Sequence, residues 1–163
     1  MGSHKRVRLY KERAISPHGR NIFTIALDND DCGYWKLPYE MLCFFEKKIG
    51  EEIWQRWEKY EEELELKADE CKEFQKLLEK AVELHEKVIG DRWAKFDEDN
   101  EEHRKVYDTI AEMFHFENDV KTEYDGHNIS HLHDEYEFFT DVVNEINELE
   151  KNGEQFYITL IFD

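Results

Sequence analysis

The sequence predicts a mixed α+β fold: a long antiparallel helical hairpin or bundle, closed by a small three-stranded antiparallel sheet that both chain termini supply. Three observations predict it. Apolar residues alternate near the start of the chain and run together at its end. Residues 51–89 repeat apolar positions every seven residues. Only seven Gly and two Pro occur, as long helices require. A charged fraction of 38%, against about 25% in ordinary domains, fits long solvated helices. Aromatics at 14% fit a packed core, because disordered chains are poor in them. A chain of 163 residues fits one domain, assigned to residues 5–163, with Met1-Gly2-Ser3-His4 read as a remnant of expression cloning.

Residues 5–27 read as a basic hairpin. Val7 and Leu9 alternate with charge, Ser16-Pro17-His18-Gly19-Arg20-Asn21 is turn chemistry, and Ile22-Phe23-Thr24-Ile25-Ala26-Leu27 is a strand. Pro38 opens a short helix at 38–50 that carries Met41, Leu42, Phe44, Phe45 and Ile49 and stops or bends at Gly50. Across 51–89, Trp57, Leu64, Cys71, Leu78 and His85 form one heptad series, and Tyr60, Lys67, Phe74, Ala81 and Val88 form the other, three residues apart. As one helix this segment would be a rod of roughly 58 Å at 1.5 Å per residue. It would protrude or pair, with a coiled-coil homodimer as the alternative to an intramolecular hairpin.

Gly90-Asp91 predicts a tight reversal into a second helix over 91–120, with Trp93, Phe96, Tyr107, Ile110, Met113 and Phe114 as its apolar set, interrupted by the acidic run at 97–102. A third helix over 128–151 follows from Ile129, Leu132, Tyr136, Phe139, Val143, Ile146 and Leu149, ending at Asn152-Gly153. Residues 155–162 carry the strongest strand signal, Phe156-Tyr157-Ile158-Thr159-Leu160-Ile161-Phe162. They are expected to join the hairpin as its third strand, because a lone hairpin is marginal in water.

The chemistry-bearing motifs are sparse. Cys32, Cys43 and Cys71 are odd in number and lack CxxC spacing, which argues against a disulfide framework or a structural zinc site and for reduced thiols in a cytoplasmic protein. No apolar run approaches the roughly 20 residues that span a bilayer, and no apolar stretch follows the basic N-terminus as in a secretory signal. Phosphate-binding and nucleophile-elbow motifs are missing, so neither a catalytic residue nor a cofactor is assigned.

His127 and His131 are an i, i+4 pair, the spacing of two metal ligands on one helix, and with nearby carboxylates they define the alternative of a metal-dependent helical enzyme. The competing reading is a solvated helix start. Glu112-Met113-Phe114-His115 has the spacing of one di-iron half-site without a second copy, and Glu58-x-x-Glu61 and Glu145-x-x-Glu148 have that of paired magnesium ligands. Such spacings arise freely among 40 acids.

Charge is the clearest functional signal. Residues 1–27 hold six basic side chains against Glu12, net +5, whereas the remaining 136 residues hold 16 basic and 39 acidic ones, net −23. A body of that charge repels phosphate, so direct nucleic-acid binding is not expected. Glu58, Glu61, Glu62, Glu65 and Asp69 fall on a ridge off the heptad seam, and Trp35 and Trp54 are the aromatic residues placed to anchor a partner beside acids. The bland reading is a solubilising face. The sharper one is an acidic protein-binding inhibitor that occupies the basic cleft of a nucleic-acid-processing protein such as a nuclease, as immunity and phage anti-defence proteins do. That comparison is one of charge and size alone. A structural coiled-coil adaptor is the third reading.

Overall fold

The computed structural model describes residues 5–14, 21–29, 39–60, 63–118 and 131–162. In chain order they form β1 (Lys5–Ala14), β2 (Asn21–Asp28), α1 (Tyr39–Ile49), α2 (Glu51–Tyr60), β3 (Leu64–Leu66), α3 (Ala68–Val88), α4 (Glu101–Met113), α5 (His131–Lys151) and β4 (Phe156–Phe162). The strands make one antiparallel sheet in the order β2-β1-β4-β3.

Two expectations are overturned here. The sheet has four strands rather than three, and the fourth, β3, lies inside the segment expected to be one long helix. The heptad rod over 51–89 is two helices, α2 and α3, separated by β3, so the molecule is not built on a single long helical hairpin. The physical cause is local. Glu61, Glu62, Glu63 and Glu65 crowd like charges at helical spacing, which weakens a helix there, and Glu61 and Glu65 repel as an i, i+4 pair. Leu64-Glu65-Leu66 alternates as a strand should, and pairing Leu64 with Leu160 and Leu66 with Ile158 satisfies the otherwise open edge of β4.

Alternation explains the sheet. Val7 and Leu9 of β1, Leu66 of β3, and Ile158 and Leu160 of β4 are buried on the face turned to the helices. β1 is the shared partner of β2 and β4, with a register shift between Leu9 and Tyr10 against β2. Gly50 supplies the left-handed residue, φ 101°, that ends α1 and lets α2 start at once; its N–H donates to the Glu46 carbonyl at 2.9 Å.

The core lies between the sheet and an antiparallel pair of helices, α3 and α5. Lys72 near the start of α3 meets Glu150 near the end of α5 at 3.0 Å, and His85 near the end of α3 meets His133 near the start of α5. Five of the heptad positions on α3, Cys71, Phe74, Leu78, Ala81 and His85, are buried inside this one chain, whose α3 packs against α5. Phe74 is the hub, with its ring centroid 4.8 Å from Phe139, 4.9 Å from Phe44 and 5.6 Å from Phe114.

The second helix is shorter than expected. Gly90 ends α3 with φ 137°, but α4 begins only at Glu101, capped by the Asn100 side chain, which accepts from the N–H groups of Glu102 and His103. The acidic run at 97–102 is thus a turn followed by a helix start, where acids suit the helix dipole.

Candidate protein-binding surface

Opposite the core face, the sheet presents Arg6, Arg8 and Tyr10 of β1, Phe23 and Ile25 of β2, Tyr157, Thr159 and Ile161 of β4, and Glu65 of β3, as the pairing register and the period of two require. Tyr10 stacks on Tyr157 with centroids 4.7 Å apart, and Phe23 meets Tyr157 edge-on at 4.9 Å. Phe23 and Ile25 remain 40% and 50% exposed. One side of this face is therefore an aromatic and aliphatic patch on the outermost strand.

The middle of the face is polar and closed. Arg8 sits between Asp28 and Thr159, and its Nε donates to Asp28 Oδ2 at 2.6 Å while its guanidinium also reaches the Tyr10 hydroxyl. Both contacts push the Arg8 pKa up, the Tyr10 hydrogen bond foremost. Thr159, between Arg8 and Glu65, is buried. On the far side Glu65 is exposed beside Glu63, whose charge helps raise the Tyr157 pKa, after burial and Tyr10. Glu63, Glu65 and Asp69 have no ion-pair partner among the described residues.

The residues singled out from sequence meet different fates. Glu58 is exposed at the end of α2, Glu65 is on the sheet rather than on a helix, and Asp69 is exposed in the first turn of α3. Trp54 is not a surface anchor. It is 3% exposed, its ring lies 4.9 Å from that of Trp57, and only its Nε1–H reaches outward, donating to Glu58 Oε1 at 2.8 Å. The reason is that α2 turns the 54 and 57 positions, three apart, onto one buried face. Glu61, Glu62, Trp35 and His127 lie outside the described residues.

His131 opens α5 and is half-buried. Among the described residues no three His, Cys, Asp or Glu side chains gather to hold a metal ion. Of the two described thiols, burial pushes that of Cys43 up to about 12 and that of Cys71 further, so neither is an activated nucleophile. No helix among the described residues is long and apolar enough to cross a membrane.

Trp93 was placed by sequence among the apolar residues of a helix, yet it is 80% exposed, on the turn between α3 and α4. That turn is pinned. The Trp93 N–H donates to Asp91 Oδ1, and the adjacent Arg92 binds Asp134 at 3.2 Å and also Glu137, both on α5. The signal available in the sequence was Gly90-Asp91 followed by an acidic run without helical periodicity. The basic hairpin, for its part, spends charge internally: besides Arg8 with Asp28, Lys11 lies 3.9 Å from Glu145 on α5. Compared with known protein families, with curated proteins and with solved structures, the chain matches none.

Proposed function

We propose that this protein is an acidic protein-binding module, and that its partner is a basic protein of the kind that grips nucleic-acid phosphates. The observation that carries the reading is that one sheet face holds the Tyr10, Tyr157, Phe23 and Ile25 patch and Glu65, with Glu63 just before β3 close enough to act on Tyr157, and that neither acid has an ion-pair partner among the described residues. Aromatic anchors give a contact its affinity, and surrounding unpaired charge gives it rate and selectivity. A net charge of −18 adds long-range attraction toward a basic cleft and repels free nucleic acid. Occupying such a cleft would inhibit its owner.

Charge reversal tests it. Glu63→Lys, Glu65→Lys and Asp69→Lys, combined, are expected to abolish salt-sensitive capture of one basic protein while leaving the circular dichroism spectrum unchanged. Equal capture by the wild type and the variant removes this surface from the proposal. No second reading is favoured: the metal-dependent enzyme would need a donor set, and none is assembled among the described residues.

A further inference from the structure

Two glutamates are buried where α1 meets α5, and nothing in the binding surface uses them. Glu40 of α1 and Glu135 of α5 are each 0% exposed. Glu135 is walled by Leu132, Phe138 and Phe139, its neighbours at three and four residues on the same helix, all buried. The two helices also touch through Phe45 and Phe139, ring centroids 6.3 Å apart. Both carboxyl oxygens of Glu135 lack a hydrogen-bond donor. A buried ionised carboxylate without a donor is far too costly to persist in a folded core.

The geometry points to a proton-binding site: Glu135 carries a proton in the folded protein at neutral pH, beside the Glu40 carboxyl group. The proton removes the uncompensated charge of Glu135, whose two oxygens have no donor, and spares the fold two like charges side by side. Which residue keeps the charge follows from position. Glu40 stands in the first turn of α1, where unbonded N–H groups and the helix dipole favour an anion. Glu135 stands one turn further into its helix, beyond the free N–H groups.

Burial first, and the neighbouring Glu40 second, push the pKa of Glu135 well above the ordinary carboxylate range. Among the described residues, Glu40 is the charged group that acts on Glu135, His131 stands one turn before it on α5, and Cys43, Glu46 and Glu117 lie on the Glu40 side. Cys43 stays a neutral thiol, its pKa held at about 12 by burial and then by the charges of Glu46, Glu40 and Glu117. Because the folded pKa of Glu135 is raised, the stability that the protonated pair contributes is complete below the ordinary carboxylate range and is lost as pH rises through the folded value. The contact between α1 and α5 is thus a latch that loosens with alkalinity.

The test compares wild type, Glu135→Gln and Glu40→Gln, each metal-free, by thermal unfolding from about pH 5 to about pH 9, with infrared spectra of the folded wild type at neutral pH. The expected result is a protonated-carboxyl C=O band at neutral pH that Glu135→Gln removes. Alongside it, Tm in either Gln variant should fall less with rising pH than in wild type. If one variant fails to fold, the wild-type band and the other variant decide. Absence of the band in wild type would overturn the proposal. So would stabilisation at high pH by added magnesium or manganese that Glu135→Gln eliminates, since a metal ion would then hold the pair together.

Discussion

His85 closes the last turns of α3 at 1% exposure, its ring edge-on to that of His133 with centroids 5.1 Å apart. Burial, and then repulsion from His133, lower its pKa from the ordinary histidine value, although the Gly90 backbone and Glu86 oppose the shift. An unfolded chain therefore binds this proton more readily. The stability that neutral His85 contributes is complete above about pH 6.5 and is lost as pH falls through the lower folded value. His85→Leu is expected to gain Tm relative to wild type as pH drops from about 7 to about 5; a difference independent of pH would contradict this.

At the same scale the two tryptophans Trp54 and Trp93 are expected to part company. Trp54→Ala empties a packed site and should cost about 3–5 kcal/mol in denaturant unfolding. Trp93→Ala, on an exposed turn, should change stability by no more than about 0.5 kcal/mol. Sequence alone separated neither case, because an indole at helical spacing looks the same whether its neighbours bury it or a glycine ends the helix before it.

Among the elements, β3 decides the architecture. Three residues, Leu64, Glu65 and Leu66, turn a heptad rod into two helices and give the sheet its fourth strand. Leu66 is the apolar contact that holds this strand to the core, 2% exposed and paired with Ile158. Leu66→Ala is expected to cost about 2–5 kcal/mol in denaturant unfolding. A change below about 0.5 kcal/mol would mean that β3 is not part of the cooperative structure.

The terminal strands, the Gly50 break, the helical character of α3, and α5 were legible in the sequence, because each satisfies one strong local periodicity. β3 was not, since a three-residue strand cannot outvote a heptad that runs through it. The surface proposed for binding was half legible. Glu65 and Asp69 were found by charge, whereas Tyr10, Phe23 and Tyr157 come together only through strand pairing across more than a hundred residues.

For the whole molecule, net negative charge opposes compaction. Inherent self-repulsion at −18 is offset internally at a few points, among them Arg8 with Asp28, Lys48 with Glu73, and Lys72 with Glu150. The more exposed of these, Lys48 with Glu73 and Lys72 with Glu150, add little stability. The pH response instead reflects the buried groups, with His85 favouring neutral over acid conditions and the Glu40 and Glu135 pair favouring acid over alkaline ones. The proposed partner binding belongs to this scale too, because it would draw on both the aromatic patch and the acids at the other side of the sheet face.

The most direct measurement is a side-by-side capture from nuclease-treated lysate with wild type, the combined Glu63→Lys, Glu65→Lys and Asp69→Lys variant, and Tyr157→Ser. A graded salt elution, with the retained proteins identified by mass spectrometry, is followed by affinity measurement on the purified partner. One basic nucleic-acid-binding protein held by wild type, eluted by salt and weakened by both variants is the predicted result. Retention of the same proteins by all three, or of none that prefers wild type, would contradict the account.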